Sequence, residues 1–230
     1  MKTIGLLGGM SWESSIEYYR IINETVKKRL GGLHSAQCLM YSVDFAEVER
    51  LQHAHEWETL TLLMIEGMQR LAHGGADCLV ICTNTMHRMA PEIQAAIDLP
   101  LLHIADATAD AIKAQGLHTV GLLGTRFTME GDFYRGKLTL DHGLQVLIPD
   151  ETERETVHRI IYSELVQGQI LERSRLAFQN VIAGLQAKGA QGVILGCTEI
   201  PLLIRQSDVS IPVFDTTRIH AEAAVDWALS

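Results

Sequence analysis

The chain has 230 residues, 47% of them hydrophobic, which is enough to bury one large core or two smaller α/β lobes. Its formal net charge of −9, without an extended cluster of Lys and Arg, argues against proteins that bind nucleic acids or anionic membranes, because neither polyanion would be attracted. A small-molecule ligand is therefore expected.

The N-terminal segment lacks the charged and apolar regions of a signal peptide, and no apolar run approaches the roughly 20 residues of a membrane span. We therefore expect a cytoplasmic protein. A reducing cytosol keeps cysteines as thiols, and their spacings match neither C-x-x-C nor a zinc site. This applies to all four cysteines, which are Cys38, Cys78, Cys82 and Cys197.

Short apolar runs that end in Gly or small polar residues alternate with longer segments of helical periodicity. Thr3 to Leu7 and Val120 to Leu123 are predicted strands, and Trp57 to Ala72 is a predicted helix. This alternation is typical of βαβ units in a parallel sheet, so the predicted fold class is α/β.

An internal repeat divides the chain into two similar halves. "KTIGLLGG" from Lys2 reappears as "HTVGLLGT" from His118, at an offset of 116 residues. "GADCLVICTNT" from Gly75 matches "GAQGVILGCTE" from Gly189, at an offset of 114. We therefore predict two pseudo-symmetric Rossmann-like lobes with parallel sheets and an active-site cleft between their strand ends. The predicted lobes are residues 1–103 with 208–230, and residues 104–207.

The repeat aligns Thr83 with Cys197, immediately after a predicted buried strand in each half. A free Cys is most often a small buried hydrophobe. However, Gly196 would let the backbone approach a ligand, and the N–H groups of a following helix start would stabilise a thiolate. Cys197 is therefore a candidate reactive thiol.

Three further segments have a purely structural interpretation as well as a functional one. "GLLGGMSWESS" from Gly5 is a glycine-rich turn into a helix that would hold an anion on backbone N–H groups, or simply a tight turn. His87 would line the cleft or pack locally, and the packing role is favoured. His53 and His55 do not share a helical face for a metal, so they are predicted surface residues.

Four segments in register, "GLLGGMS", "CTNTMH", "LLGTRFTM" and "ILGCTEIP", resemble the aspartate/glutamate racemase family. The resemblance implies an amino-acid racemase, often a homodimer, that uses neither pyridoxal phosphate nor a metal. It also implies two cysteines that face the substrate Cα from opposite sides. Inversion at carbon needs a proton removed on one face and delivered on the other, and thiols suit both tasks.

The family's second cysteine corresponds to Cys197, whereas the position of the first is occupied by Thr83. In an extended strand Cys82 would point away from the face that Thr83 presents. A threonine hydroxyl donates a hydrogen bond or relays a proton through water, but it is too weak an acid to supply an alkoxide. We therefore expect a racemase whose rate differs between enantiomers.

Substrate recognition is expected from residues near the predicted strand ends. Some aspartate racemases carry a lysine before the glycine matched by Gly168, where this chain has Val166 and Gln167, and Arg50 or Arg126 are possible replacement cations. The candidate substrate-binding residues are Met10, Ser11, Gln52, Asn84, Thr85, Thr125, Thr198 and Glu199, beside the catalytic pair Thr83 and Cys197.

Three alternatives to an aspartate/glutamate racemase remain open at this point. The first is an amino-acid racemase of broader specificity. The second is a decarboxylase in which a single thiol reprotonates an enolate-like intermediate. The third is an amino-acid-binding protein that kept the site and lost turnover.

Overall fold

The computed structural model describes Met1–Ser230 and divides the chain into two compact units. The first comprises Met1–Ile104 and His220–Ser230, and the second comprises Ala105–Ile219. None of the helices combines the length and the hydropathy needed to cross a lipid bilayer.

The first unit contains a four-stranded parallel sheet in the order β2-β1-β3-β4. Its strands are β1 Ile4–Gly8, β2 Cys38–Ser42, β3 Cys78–Ile81 and β4 Leu101–Leu102. Its helices are α1 Trp12–Leu30, α2 Phe45–His53, α3 Trp57–His73, a 3₁₀ helix at Thr85–Met89 and α4 Ala90–Ala96.

The second unit repeats the arrangement, with strand order β6-β5-β7-β8 and parallel pairing throughout. Its strands are β5 Thr119–Gly124, β6 Gln145–Leu147, β7 Gly192–Gly196 and β8 Val213–Asp215. The helices from this part of the chain onward are α5 Ile104–Ala114, α6 Arg126–Glu130, α7 Asp132–Leu140, α8 Glu151–Ser163, α9 Glu172–Ala187, α10 Ile200–Leu203 and α11 Thr216–Leu229. Two further 3₁₀ helices lie at Leu165–Gln167 and Gln206–Asp208.

Strand register confirms that the sequence repeat is a structural repeat. Gly5 pairs with Leu79 across β1 and β3, and the repeat-related residues Gly121 and Val193 pair across β5 and β7. The central strands β1, β3 and β7 are buried throughout, because helices cover both faces of a parallel sheet. Two-fold repetition of one α/β unit therefore determines the fold, as the sequence predicts.

The C-terminal tail differs from the sequence-based lobe boundaries. Residues 208–219, which the sequence analysis assigns to the first lobe, belong to the second unit. The reason is that β8 completes the second sheet by pairing with β7, with Asp215 beside Leu195. Only the last part of the tail, His220–Ser230, lies in the first unit, where Ala221 and Val225 pack in its core.

The two faces of the first sheet bury different residues of β3. Leu79 and Ile81 pack on the side of α2 and α3, whereas Val80 and Cys82 pack with residues of α1 and α11. This alternation continues the pleat of the strand by one residue beyond its end. Cys82 therefore points into the core on the side of α1 and α11, and its burial raises the pKa of its thiol.

Candidate active site

Cys197 directly follows β7 and lies at the carboxyl end of the second sheet. Its side chain is buried, and its Sγ–H donates a hydrogen bond of 2.9 Å to Oε2 of Glu199. The hydroxyl of Thr198 donates to the same oxygen, at 2.7 Å. Two donors thus converge on one carboxylate oxygen, which places an acid and a base within a single hydrogen bond of each other.

The glycine before Cys197 is required by the neighbouring strand. A Cβ on Gly196 would lie 2.9 Å from the carbonyl oxygen of Leu123, and a Cβ on Gly124 would lie 2.9 Å from the carbonyl oxygen of Gly196. Real Cβ atoms essentially never approach backbone oxygen this closely, so β5 and β7 need glycine at both positions. The sequence suggests that Gly196 lets a ligand approach the backbone, whereas the structure explains this glycine by strand packing.

Burial raises the pKa of the Cys197 thiol well above its usual value, and the charge and hydrogen bond of Glu199 raise it further. Backbone N–H groups of Glu199 and Thr198 act in the opposite direction and do not compensate. The sequence predicts a thiolate stabilised by these N–H groups. Desolvation and the adjacent carboxylate outweigh them, and a pKa raised in this direction favours the protonated thiol at neutral pH.

Replacing Glu199 with glutamine should move the titration of Cys197 to lower pH, because the adjacent negative charge is removed while a polar neighbour of similar shape remains. The measurement is the pH dependence of the rate at which iodoacetamide alkylates Cys197, followed by peptide mass spectrometry. The exposed Glu58→Gln variant is the matched control. Unchanged titration in Glu199→Gln would contradict the electrostatic role of this carboxylate.

Thr83 lies two residues beyond the end of β3, at the position that the repeat aligns with Cys197. Its side chain is half-buried, while the following Asn84 and Thr85 are buried. Thr85 begins a 3₁₀ helix, so the chain turns sharply out of the strand at Thr83. The hydroxyl and amide groups of this segment therefore cluster at the carboxyl end of the first sheet.

The predicted binding residues at the starts of α1 and α6 shape two similar turns. Ser11 caps α1 and accepts the N–H of Ser14, and Thr125 caps α6 and accepts the N–H of Thr128. Each cap is buried and also contacts the hydroxyl of the Ser or Thr three residues later. Such caps satisfy N–H groups of the first helical turn, so both hydroxyls have a structural task in this structure. Met10, immediately before the first cap, is buried in the core beside α2.

Gln52 is the predicted binding residue with the most unusual environment. It lies in the last turn of α2, its side chain is 3% exposed, and its Nε2 has no hydrogen-bond partner. An unsatisfied buried donor costs about 1–3 kcal/mol, which a bound acceptor would recover. The two candidate cations are exposed instead, and Arg50 lies 3.5 Å from a carboxylate oxygen of Glu56.

His87 is buried and holds two backbone groups. Its Nδ1–H donates to the carbonyl oxygen of Thr83 at 2.8 Å, and its Nε2 accepts the N–H of Ile104 at 3.2 Å. Its ring lies 4.6 Å from that of His103 and 5.5 Å from that of His220. Burial lowers the pKa of His87 well below its usual value, and both neighbouring histidines lower it further. The local packing role that the sequence favoured is thus present, in a neutral imidazole with a defined tautomer.

Protein stability should decline below about pH 6.5, where His87 becomes protonated in the unfolded chain but stays neutral when folded. The neutral ring contributes fully to the free energy of unfolding at pH values above the pKa of His87 in the unfolded chain. This contribution is lost as the pH falls toward the lower pKa of His87 in the folded protein. Urea unfolding at several pH values measures this slope. In the wild type, His87 should contribute a slope of about 1.4 kcal/mol per pH unit to the free energy of unfolding at acidic pH, and His87→Asn should remove this contribution. Identical slopes in the wild type and the variant would contradict the assignment.

Two buried hydrogen bonds could not be identified from the sequence. Thr216 Oγ1 donates to the carbonyl oxygen of Leu195, two residues before Cys197. Tyr18 and His220, 202 residues apart, share a hydrogen bond between the phenol and Nδ1 of the imidazole, at 2.9 Å. Neither contact has a local signal in the sequence, because both depend on tertiary structure.

Neither histidine predicted at the surface belongs to a metal site in the structure. His53 and His55 are exposed, and His53 lies 3.2 Å from a carboxylate oxygen of Glu49. No group of three or more His, Cys, Asp or Glu side chains has a geometry that would hold a metal ion. The four cysteines have free thiols.

Comparison with known proteins places this chain among racemases. The profile of the Asp/Glu/Hydantoin racemase family matches residues 7–224. A curated relative, the broad specificity amino-acid racemase RacX of Bacillus subtilis, is 23% identical over 232 residues, covering 99% of this chain and 98% of its own.

Solved structures extend the similarity over the whole chain. A crystal structure from Yersinia pestis described as an Asp/Glu racemase is 59% identical, with a TM-score of 0.95 and complete coverage of both chains. An aspartate racemase homologue from Pyrococcus horikoshii is 34% identical, with a TM-score of 0.89 and complete coverage. Glutamate racemase from Francisella tularensis is 15% identical with a TM-score of 0.68, covering 99% of this chain and 81% of that one, a likeness of fold.

Proposed function

The chain belongs to the Asp/Glu/hydantoin racemase family, and from that premise we propose that it is a cofactor-independent racemase of aspartate and glutamate. The observation that carries the proposal is the hydrogen-bonded pair of Cys197 and Glu199 at the end of β7. Thr83 holds the corresponding position after β3 and acts, in this proposal, on the other face of the substrate. The reaction removes the Cα proton and returns a proton to the opposite face.

The pair formed by Cys197 and Glu199 serves as both acid and base. A thiol that is protonated at neutral pH can deliver its proton to a carbanion at Cα. To act as a base, the thiol first passes this proton to the carboxylate of Glu199, whose Oε2 lies 2.9 Å from Sγ. The resulting thiolate then takes the Cα proton. Because the proton moves within the pair, the buried site gains no net charge when the base forms.

The sequence makes Glu199 a candidate substrate-binding residue. We propose that it acts in proton transfer instead. In the structure the carboxylate accepts hydrogen bonds from Cys197 and Thr198, so we assign it to proton transfer. Thr198 orients the carboxylate by donating to the same oxygen that faces the thiol.

Thr83 makes the two faces of the substrate unequal. Its hydroxyl donates a hydrogen bond or relays a proton through water, but it does not supply a base comparable to a thiolate. Proton abstraction by the Cys197 side is therefore fast, and abstraction from the Thr83 side is slow. The proposal predicts an enzyme that converts one enantiomer much faster than the other.

Recognition of the substrate is assigned to groups at the carboxyl ends of the strands. Gln52 contributes a buried amide N–H without a hydrogen-bond partner, which suits the side-chain carboxylate of an acidic amino acid. An amide also forms hydrogen bonds with uncharged groups. The amide of Gln52 therefore favours the second candidate, a racemase of broader specificity like the one named in Bacillus subtilis. The remaining residues proposed to hold the amino and carboxylate groups are Met10, Ser11, Asn84, Thr85, Thr125 and Thr198.

Proton NMR in D2O tests the proposal directly. Incubation with one enantiomer of aspartate or glutamate should remove the Cα–H signal, and the rates for L and D substrates should differ strongly. Cys38→Ser, which changes a half-buried thiol in β2, should exchange like the wild type. A panel of neutral amino acids separates acidic-substrate specificity from the broader range.

Two outcomes would overturn the proposal. Tight binding of amino acids without Cα–H exchange would identify a binding protein. Release of CO2 from malonate-type acids, with no exchange at the Cα of amino acids, would identify the decarboxylase alternative.

A further inference from the structure

The backbone at Thr83 lies beyond the hydrogen bonds of the sheet. The N–H of Cys82 donates to the carbonyl oxygen of Leu7 at 2.9 Å, which is the continuation of the β1–β3 ladder. Thr83 and Asn84 then form a bend between this ladder and the 3₁₀ helix that begins at Thr85. The carbonyl of Thr83 accepts its hydrogen bond from a side chain, Nδ1–H of His87, at 2.8 Å.

The imidazole that anchors this carbonyl is itself held on several sides. Its second nitrogen, Nε2, accepts the N–H of Ile104, 17 residues later in the chain. The ring contacts His103 and His220, and His220 is fixed in turn by Tyr18 and by the carbonyl oxygen of Leu102. The ring therefore has one defined position and one tautomer, so its Nδ1–H is a rigid donor to Thr83.

We propose that His87 is a positioning residue for the reaction, and that its hydrogen bond to the Thr83 carbonyl fixes the direction of the Thr83 hydroxyl toward the substrate. This inference rests on the proposed function. A small rotation of the Thr83 backbone moves the hydroxyl, and misplacement of a reacting group by about 1 Å can cost 10²-fold in rate. The expected effect is on turnover rather than on substrate affinity, because His87 acts through Thr83.

Two substitutions separate this role from a purely structural one, because each retains one of the two hydrogen bonds. In His87→Asn the amide nitrogen takes the place of Nδ1 and keeps the donor to Thr83, while the N–H of Ile104 loses its acceptor. In His87→Gln the longer side chain reaches toward Ile104, and the carbonyl of Thr83 loses its donor. Each variant forgoes one backbone contact, so the two serve as controls for each other's loss of stability.

The experiment measures kcat, KM and melting temperature for both variants with the substrate that the wild type converts. We expect kcat within about 3-fold of the wild type for His87→Asn and at least about 10-fold lower for His87→Gln, with similar melting temperatures and little change in KM. Equal kcat values in two folded variants would overturn the proposal. So would a larger loss in His87→Asn than in His87→Gln.

A double-mutant cycle with Thr83→Ala provides the second test. If His87 acts through the Thr83 hydroxyl, then adding His87→Gln to Thr83→Ala should lower kcat by less than about 2-fold. A full, additive loss would show that His87 acts elsewhere, and it would overturn the proposal. Failure of the proposed function has a different readout, because the wild type would then show no Cα–H exchange.

Discussion

Cys197→Ser should lower the rate of Cα–H exchange by about 10²–10⁴-fold in both directions, the range typical of losing a positioned acid/base. The serine hydroxyl would still reach Glu199, but its pKa is too high for it to form an oxyanion in that buried position. The fold should be retained, because the change replaces one buried atom at a strand end. The measurement is loss of the Cα–H signal in D2O, with circular dichroism to verify folding.

A cysteine outside the candidate site tests whether the loss of exchange is specific to Cys197. Cys38→Ser should leave exchange unchanged, since Cys38 is the first residue of β2 and contacts neither Glu199 nor Thr198 in the hydrogen-bond pattern of the site. If Cys197→Ser exchanged within 2-fold of the wild type, which is within the usual scatter of rate constants, the acid/base assignment would be wrong.

Thr83→Cys should raise conversion of the slow enantiomer by about 10²-fold, because it supplies an ionisable thiol on the face where the wild type has only a hydroxyl. Conversion of the fast enantiomer should change much less, since Cys197 and Glu199 already serve that direction. The two rates are measured separately by chiral chromatography from pure L and pure D substrate.

Thr83→Ser is the matched control, because it keeps a hydroxyl at the same position. It should show no gain for the slow enantiomer. A folded Thr83→Cys variant with unchanged rates in both directions would contradict the assignment of the two faces. Equal wild-type rates for both enantiomers would contradict it as well.

The sequence was informative wherever local pattern and repetition determine structure. Apolar runs that end in glycine correspond to β1 and β5, and the helical periodicity from Trp57 corresponds to α3. The repeat predicted which strands correspond, and the pairing of Gly5 with Leu79 and of Gly121 with Val193 confirms it. These features depend on side-chain alternation and on steric demands at glycine, which a single sequence records.

The boundary of the tail could not be read in the same way. Val213–Asp215 is a strand of three residues, too short to give a periodic signal, and its partner β7 is distant enough in sequence that only the folded sheet identifies it. Edge strands of this length are stabilised mainly by the sheet that they join. The assignment of residues 208–219 therefore required the tertiary structure.

The sequence by itself determined a duplicated α/β fold and the correspondence of Thr83 with Cys197. Only the tertiary structure decided that the Cys197 thiol is buried and bonded to Glu199, which raises its pKa, and that His87 anchors the carbonyl of Thr83. The physical reason is that a repeat fixes the order of positions along the chain, whereas a pKa and a hydrogen-bond partner depend on burial and on groups brought together in space. The burial of Cys197 and the hydrogen bond between His87 and Ile104 both arise from the packing of the folded chain.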